Sequence, residues 1–361
     1  MERGLVSVVL VTWNSARYLR RCLEGIGQQT HRDIELIAID NASADDSVAL
    51  VQPHAATVVR NPDNRGFSAA VNQAVAIARG EFVLVVNPDC YLLPEYAERL
   101  VALFSSPDVG SATGLLIRAK GTEIEPTEEI DSMGIRMTRT GRHLDIGQGV
   151  SLSSRASSEG PGRAGTRSMG ISHAGRLSAS LRNPTHPGPS LDARDDGGVP
   201  IEVFGVSGAA AMFRTSFLHD TAVDGEVLDE DFFAFREDAD LAWRGRLFGW
   251  RSFCDPEAVA YHVRRVTPEA RRELPADVNM HSVKNRFLLR LKNQGAYLAL
   301  RNLPFELARD LVVLIATLTI ERTSLPAFSW LWRNRKRVLA KRREIQRRRK
   351  VSDRELAGWF R

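Results

Sequence analysis

Short apolar runs alternate with amphipathic stretches in the N-terminal part of the chain. Residues 5–12 and 82–86 are largely apolar, β-branched runs, as in strands that are covered on both faces, and residues 34–39 predict a further strand. Residues 16–28 and 68–79 place apolar side chains at helical spacing. The alternation predicts βαβ units, and therefore an α/β fold with a mostly parallel central sheet and flanking helices.

The pattern continues less regularly after residue 93. We predict these further elements: a helix at 94–105, a strand at 109–116, ordered structure at 201–213, a helix from residue 238, short strands at 252–254 and 258–262, and a helix at 287–292.

Composition divides the chain further. Residues 151–198 contain 10 Ser, 8 Gly and 4 Pro, so this segment buries too little apolar surface to offset its ordering entropy. We interpret it as a mobile surface insertion, either without function or ordered near substrate, within a domain of residues 1–292. Residues 293–361 are then a helical, amphipathic and basic C-terminal extension.

The formal net charge of +5 hides an asymmetry. Residues 333–350 carry 11 Lys or Arg against one Glu, a net +10, which leaves −5 for the remainder of the chain. Cys22, Cys90 and Cys254 form no Cys-x-x-Cys pair, which argues against a disulfide framework and a zinc site. Because the N-terminus also lacks the pattern of a signal peptide, we expect a cytoplasmic protein.

Polar residues follow the predicted strands. The loop at 12–15, Thr-Trp-Asn-Ser, contains no glycine, which argues against a dinucleotide-binding turn. Asp40 follows the second strand, where its carboxylate could bind a nucleotide base or ribose, or else cap the next helix. Asp89, in Asn87-Pro88-Asp89, could hold a divalent cation against a diphosphate, or belong to a simple turn.

A second acidic cluster lies at residues 229–241. If Asp238 begins a helix there, the helix N-terminus would stabilise its anion, and a general base requires a charged carboxylate. The alternative is an acidic helix start in which Glu237, Asp238 and Asp240 serve as caps and dipole partners. His262, at a strand end, could contact a metal or a diphosphate, or be purely structural.

Together these segments resemble the inverting family-2 glycosyltransferases of GT-A fold, in particular a rhamnosyltransferase-like branch that builds bacterial cell-surface polysaccharide. The resemblance covers residues 6–120 and 201–292. It departs from the family in the long insertion and in Val263-Arg264-Arg265, where a glycine-rich loop is common. The motifs that carry it are Thr-Trp-Asn-Ser at 12–15, Asp-Asn-Ala-Ser at 40–43, Asn-x-Gly-Phe at 64–67, Asn-Pro-Asp at 87–89 and Phe-x-x-x-Glu-Asp-x-Asp-Leu at 233–241.

The resemblance implies a role for each matching residue. Asp238 would be the catalytic base, with Glu237 beside it. Asp89 and His262 would hold Mg²⁺ or Mn²⁺, although Asn87 replaces the first Asp of the family's Asp-x-Asp. The nucleotide and donor site would comprise Thr12, Asn14, Asp40, Asn64, Gly66, Phe67, Asn72 and Asn87.

The implied reaction transfers a sugar, with inversion, from a nucleotide-sugar donor to a saccharide acceptor. The branch implies dTDP-rhamnose as donor and a polyprenyl-diphosphate-linked acceptor. One alternative is a sugar-nucleotide nucleotidyltransferase, which should carry a glycine-rich, basic loop after its first strand. Another is a non-catalytic membrane-associated scaffold of the same fold, which would need no Glu-Asp pair.

The C-terminal extension suggests a partner. Residues 311–320 are apolar but too few to cross a bilayer. Together with Phe328, Trp330, Trp332 and the basic run, they predict peripheral contact with the anionic inner face of the plasma membrane. A helix packed on the domain is the alternative, and nucleic acid is a rival partner that we do not favour.

Overall fold

The computed structural model describes residues 1–152, 198–264 and 276–361, and of residues 276 and 277 it describes the backbone only. Almost all of the predicted insertion lies outside these ranges. Its mobility therefore stays a prediction, as does any role of Arg265.

Ten strands of the described ranges form one mixed sheet, and two more form a small antiparallel pair. The strands are β1 (Glu2–Thr12), β2 (Ile34–Asp40), β3 (Thr57–Arg60), β4 (Gly80–Val86), β5 (Cys90–Leu92), β6 (Val109–Lys120), β7 (Glu125–Ser132), β8 (Ile135–Met137), β9 (His143–Asp145), β10 (Ile201–Val203), β11 (Ala210–Arg214) and β12 (Arg251–His262).

The sheet is built around parallel pairs. Its order is β10-β12-β6-β11-β4-β1-β2-β3, with β5 beside β12 and β7 beside β6. β1, β2, β3 and β4 are parallel neighbours, β6 pairs with β12 in parallel, and β11 runs antiparallel between β4 and β6. The predicted α/β architecture with a mostly parallel sheet is therefore confirmed.

Helices cover both faces of the sheet and build the C-terminal part of the chain. They are α1 (Ala16–Gly27), α2 (Ser47–Val51), α3 (Phe67–Ile77), α4 (Tyr96–Ala102), α5 (Thr215–Thr221), α6 (Glu237–Leu247), α7 (Ala276–Asn293), α8 (Ala296–Thr319), α9 (Pro326–Arg333), α10 (Arg335–Arg348) and α11 (Asp353–Leu356).

The alternation of side chains along β1 explains the two-sided core. Val8 and Leu10 belong to the core cluster that contains Leu19 of α1, whereas Val9 belongs to the cluster that contains Val71 of α3. Successive side chains of a strand point to opposite faces, so a continuous apolar run buries both faces at once.

Three predicted boundaries are corrected. The strands expected at 252–254 and 258–262 are one strand, β12, whose pairing with β6 shifts register between Asp255 and Val259, so that the residues around Pro256 bulge out of the ladder. The helix expected at 287–292 is the end of the longer α7. Residues 201–213 divide into β10 and β11.

The C-terminal extension contacts the sheet domain. The backbone N–H of Arg361 donates to the carbonyl of Met137, and Val338 and Ile345 of α10 lie in the same apolar cluster as Trp243 of α6. The alternative of a helix packed on the domain therefore describes part of the basic run. No helix in the described ranges is long and apolar enough to cross a membrane.

Candidate active site

The carboxyl ends of β1 and β2 bring Thr12 and Asp40 together. The two residues are partners in the parallel register, and the Thr12 hydroxyl donates to Asp40 Oδ1 at 2.8 Å. The hydroxyl and the N–H of Ser43 donate to the two Asp40 oxygens at 2.6 and 3.0 Å. Asp40 therefore organises the loop after β2 and does not cap α2, which begins after Asp46.

Asn14 links the loops after β1 and β2. It adopts a left-handed backbone conformation with φ 49°. Its Oδ1 accepts from the N–H of Ala44 at 2.8 Å, and its own N–H donates to the Ser43 hydroxyl at 3.0 Å. The predicted nucleotide-binding residues Thr12, Asn14 and Asp40 thus form one hydrogen-bonded group, and their binding role stays a prediction.

Gly66 brings the loop before α3 against the loop before α6. Its φ is +86°, and a Cβ built there would lie 2.5 Å from a ring carbon of Phe233. Asn64 Oδ1 accepts from the Gly66 N–H at 3.0 Å, and the Ser68 N–H donates to the Phe233 carbonyl at 3.2 Å. Only glycine combines this conformation with so close an approach.

Asn72 holds a more distant loop. Its side-chain amide exchanges two hydrogen bonds with the backbone of Leu228, both of 2.8 Å. The predicted donor contact of Asn72 is untested, but the structure gives this amide a clear scaffolding task. Phe67 lies on the site side of the same helix, in a small cavity that Glu237 and Asp238 also line.

Asp89 and His262 meet where β4 and β12 end. His262 pairs with Cys90 in the β5–β12 ladder, and the Val263 N–H donates to the Asp89 carbonyl at 3.0 Å. His262 Nε2 lies 3.6 Å from Asp89 Oδ1. Both residues are 8% exposed, so their polar atoms face each other in a nearly closed space.

The other ring nitrogen of His262 is fixed by Asp131 on β7. Nδ1 lies 2.7 Å from Asp131 Oδ2, and Asp131 Oδ1 accepts from Arg264 Nε at 2.7 Å. Burial alone would lower the pKa of His262, but the hydrogen bond to Asp131 and the nearby Asp89 raise it to about 9. Asp131 gave no sequence signal, because it lies in no motif and far from His262 in the chain.

The donor atoms of this corner fit a divalent cation. Asp89, Cys90 and His262 each offer an atom within 4.8 Å of the others. Cys90 Sγ donates to the Ala209 carbonyl at 3.3 Å, and burial raises the pKa of its thiol, which leaves it a poor ligand. One carboxylate plus one imidazole oriented by a second carboxylate is a recurrent way to hold a metal.

Asp238 lies in the first turn of α6, after a strained loop. Phe233, Phe235 and Arg236 all have positive φ, between 65° and 71°, a cost that tends to concentrate at functional sites. Asp238 Oδ2 accepts from the N–H of Gly208 at 3.2 Å.

The turn at Gly208 connects the two halves of the site. The residue after Gly208, Ala209, accepts from the N–H of Asn87 at 2.8 Å. Asp238 is thus tied through this turn to the Asn-Pro-Asp segment that carries Asp89. Two segments that are 149 positions apart in the sequence are held together at one edge of the sheet.

The electrostatics of the Glu-Asp pair differ from the expectation. Burial raises the pKa of Asp238 despite its bond to the Gly208 N–H, so the helix N-terminus does not dominate. Burial and the charge of Asp238 raise the pKa of Glu237 to about 8, and Glu237 Oε2 is buried without a hydrogen-bond partner. The two carboxyls therefore titrate as a coupled pair in which burial favours the neutral form of each.

Two further acids of the cluster, Asp229 and Asp240, form buried ion pairs. Asp240 is fully buried, with Arg244 Nε at 2.9 Å and Lys292 Nζ at 3.0 Å. Asp229 accepts from Lys341 Nζ at 2.7 Å and also contacts Lys292. Glu237, Asp238 and Asp240 all lie in the first turn of α6, as an acidic helix start requires. Asp240 nevertheless pairs with side chains of α6 and α7 and does not cap the helix.

Sequence comparison supports a glycosyltransferase domain. Residues 7–154 match the family model "Glycosyl transferase family 2". "Putative glycosyltransferase EpsH" of Bacillus subtilis (strain 168) is 30% identical over 142 residues, 38% of this chain and 40% of that protein. "Chondroitin synthase" of Escherichia coli is 33% identical over 98 residues, 26% of this chain and 14% of that protein. The similarity thus spans less than half the length of either relative.

Solved structures support the fold. GalNAc-T7, determined with UDP, GalNAc and Mn²⁺, has a TM-score of 0.54 at 14% identity over 80% of this chain and 48% of its own. S. aureus TarS 1–349, determined with UDP-GlcNAc, has a TM-score of 0.51 at 15% identity over 98% of this chain and 89% of its own. The chain thus has the GT-A fold, and its residues 7–154 are similar to family-2 glycosyltransferases.

Proposed function

We propose that this chain, whose residues 7–154 are similar to family-2 glycosyltransferases, is an inverting transferase that moves a sugar from a nucleotide-sugar donor to an acceptor hydroxyl. In this reaction the acceptor oxygen forms a bond to the anomeric carbon while the bond to the diphosphate oxygen breaks. The nucleoside diphosphate leaves with the electron pair, and the acceptor proton passes to Asp238.

One observation carries the proposal. Asp238 is connected to Asp89 by two hydrogen bonds, the Gly208-Ala209 turn and the chain segment from Asn87 to Asp89. A proton acceptor on one side and a diphosphate-facing carboxylate on the other are what a single in-line displacement requires. The raised pKa of Asp238 keeps it a stronger base than an exposed Asp.

Asp89 and His262 would hold the cation, and Asp131 would keep the His262 ring in place. We favour Mn²⁺ over Mg²⁺ because imidazole nitrogen is a better ligand for a first-row transition ion. When bound, the cation supplies neutralisation of the charge that develops on the leaving diphosphate. GalNAc-T7 was crystallised with UDP and Mn²⁺ together, which agrees with this choice.

Thr12, Asn14 and Asp40 would recognise the nucleotide, and Asn64, Gly66, Phe67, Asn72 and Asn87 would surround the donor. We propose dTDP-rhamnose as the donor on the motif resemblance, with a UDP-sugar as the competing choice. The TarS structure was determined with UDP-GlcNAc, which supports that competitor.

For the acceptor, we propose a saccharide linked to polyprenyl diphosphate, used in making cell-surface polysaccharide at the inner face of the plasma membrane. The observation in favour is a C-terminal extension that combines exposed apolar and basic residues. An acceptor anchored in lipid would require an enzyme that works at the bilayer surface.

The test is calorimetric titration with dTDP, UDP and GDP, each with and without Mn²⁺, followed by release of nucleoside diphosphate from the matching sugars. We expect cation-dependent binding of one nucleotide and turnover that requires an acceptor. Formation of a nucleotide sugar from sugar phosphate and nucleoside triphosphate would favour the nucleotidyltransferase. Binding of no nucleotide would favour the non-catalytic scaffold.

A further inference from the structure

The outer face of α8 is an exposed apolar strip. At 24 residues, α8 is roughly 36 Å long. Its inner side, which includes Leu298, Asn302, Glu306 and Thr317, is buried against the protein. The outer side chains are between 40% and 74% exposed: Leu300, Leu303, Phe305, Leu307, Leu311, Val312, Leu314, Ile315 and Leu318.

The charged residues of α8 form hydrogen bonds and ion pairs away from this strip, although the guanidinium of Arg139 lies 3.9 Å from the centre of the Phe305 ring. Asp310 accepts from Arg290 on α7, and Glu306 forms an ion pair with the same arginine at 3.2 Å. Arg301 donates to the Ala357 carbonyl at 2.8 Å, and the Nε of Arg309 is buried. Contiguous apolar patches of this kind mark contact surfaces.

The strip continues along the chain into an aromatic and basic segment. Ile320 and Trp332 are 70% and 68% exposed. The guanidinium of Arg335 lies 4.1 Å from the centre of the Trp332 ring, and Lys336 beside it is exposed. Arg333, Arg335 and Lys336 are exposed in this segment, so the charge next to the strip faces solvent.

We infer that the outer face of α8, with the Trp332 to Lys336 segment, is a docking surface for an anionic lipid bilayer, in which α8 lies along the interface. The charge distribution selects this partner. The apolar side chains would enter the acyl boundary while the arginines and lysine meet the headgroups, whereas a second apolar protein face would leave the basic residues without a partner. This inference deepens the proposed membrane contact and moves its centre from the basic run to α8.

The test is sedimentation of the full chain with vesicles of equal parts phosphatidylglycerol and phosphatidylcholine. We expect Leu311→Glu/Ile315→Glu to lower the bound fraction at least about tenfold, because two half-exposed apolar side chains no longer enter the lipid. Arg335→Gln/Lys336→Gln should weaken binding to these vesicles by a similar factor and leave the weak binding to pure phosphatidylcholine unchanged. Ile77→Glu, an apolar residue 44% exposed on α3, is the matched control and should bind as wild type.

Quenching of tryptophan fluorescence by lipid shows directly whether this face contacts the bilayer. Lipids brominated on the acyl chain should quench part of the tryptophan emission of wild type, and that part should be lost in Trp332→Phe. Equal vesicle binding by wild type and Leu311→Glu/Ile315→Glu would overturn the inference. The inference would also be overturned if wild type formed a dimer, Leu311→Glu/Ile315→Glu dissociated that dimer, and neither protein bound vesicles. Wild type and all these variants should bind nucleotide equally well. If wild type itself bound no nucleotide, that result would count against the proposed function and not against the docking surface.

Discussion

Replacing Lys292 by methionine removes one charge from a buried cluster and nearly preserves side-chain length. Lys292 is fully buried on α7, and its Nζ lies 3.0 Å from each oxygen of Asp240 and also contacts Asp229. Asp240 lies two residues after Asp238 on α6. The ammonium therefore stabilises both the fold and the position of the proposed base.

The expected loss of unfolding free energy depends on which partners Asp240 and Asp229 still have without Lys292. Breaking a buried ion pair costs about 3–5 kcal/mol, because a charge is left uncompensated. Asp240 still has Arg244 Nε at 2.9 Å and Asn293 Nδ2 at 2.7 Å, and Asp229 still has Lys341 Nζ at 2.7 Å. We therefore expect the lower end, about 3 kcal/mol of unfolding free energy.

Urea unfolding followed by circular dichroism measures this loss. Lys120→Met, an exposed lysine at the end of β6, should change the unfolding free energy by less than about 0.5 kcal/mol. Because Lys292 and Asp240 interact directly, the double variant Lys292→Met/Asp240→Asn should be more stable than the sum of the single effects implies, although it also leaves Arg244 without its carboxylate. A loss of less than about 1 kcal/mol in Lys292→Met would refute the reasoning.

Three further predictions concern the site itself. Gly66→Ala should lower the unfolding free energy by at least about 1 kcal/mol and weaken nucleotide binding, since the new Cβ would meet Phe233 at a positive φ; unchanged calorimetry and melting would contradict this. The folded-state pKa of Glu237 is raised to about 8, so the unfolding free energy of wild type should fall as the pH rises from about 4.5 to 8. Glu237→Gln should flatten this dependence of unfolding free energy on pH, measured by urea titrations across the same range. Parallel dependences in the two proteins would show that Glu237 is not the titrating group. Asp131→Asn should lower Mn²⁺ affinity in the presence of nucleotide about ten- to hundredfold, because the His262 ring loses its orienting carboxylate, and an equal affinity would remove Asp131 from the proposed cation site.

The N-terminal half of the fold was predictable because each element is marked locally. Strands buried on both faces appear as continuous apolar runs, and their ends carry the polar residues that gather at one edge of a parallel sheet. The pattern of strands and loops thus suffices to put Asp40 and Asp89 at the same edge. The position of His262 at a strand end allowed a metal or diphosphate contact, the resemblance placed it beside Asp89, and β12 provides the physical reason.

The rest depended on long-range pairing, which has no local signature. β11 lies between β4 and β6 in the sheet, and this placement brings Gly208, just before β11, to Asp238. The charge of the C-terminal run favoured a surface partner over a helix packed on the domain, yet Lys341 is 3% exposed and paired with Asp229. A charge count cannot separate lysines that face solvent from lysines that neutralise buried acids elsewhere in the chain.

The most direct test of the account is the Asp238→Asn variant, measured for nucleotide binding and for acceptor-dependent release of nucleoside diphosphate. Asn is nearly isosteric and cannot take the acceptor proton. We therefore expect turnover to fall about a hundred- to ten-thousandfold while nucleotide affinity with Mn²⁺ stays within about twofold of wild type. Turnover near the wild-type rate, with the variant folded and binding nucleotide, would contradict the assignment of Asp238 as the base.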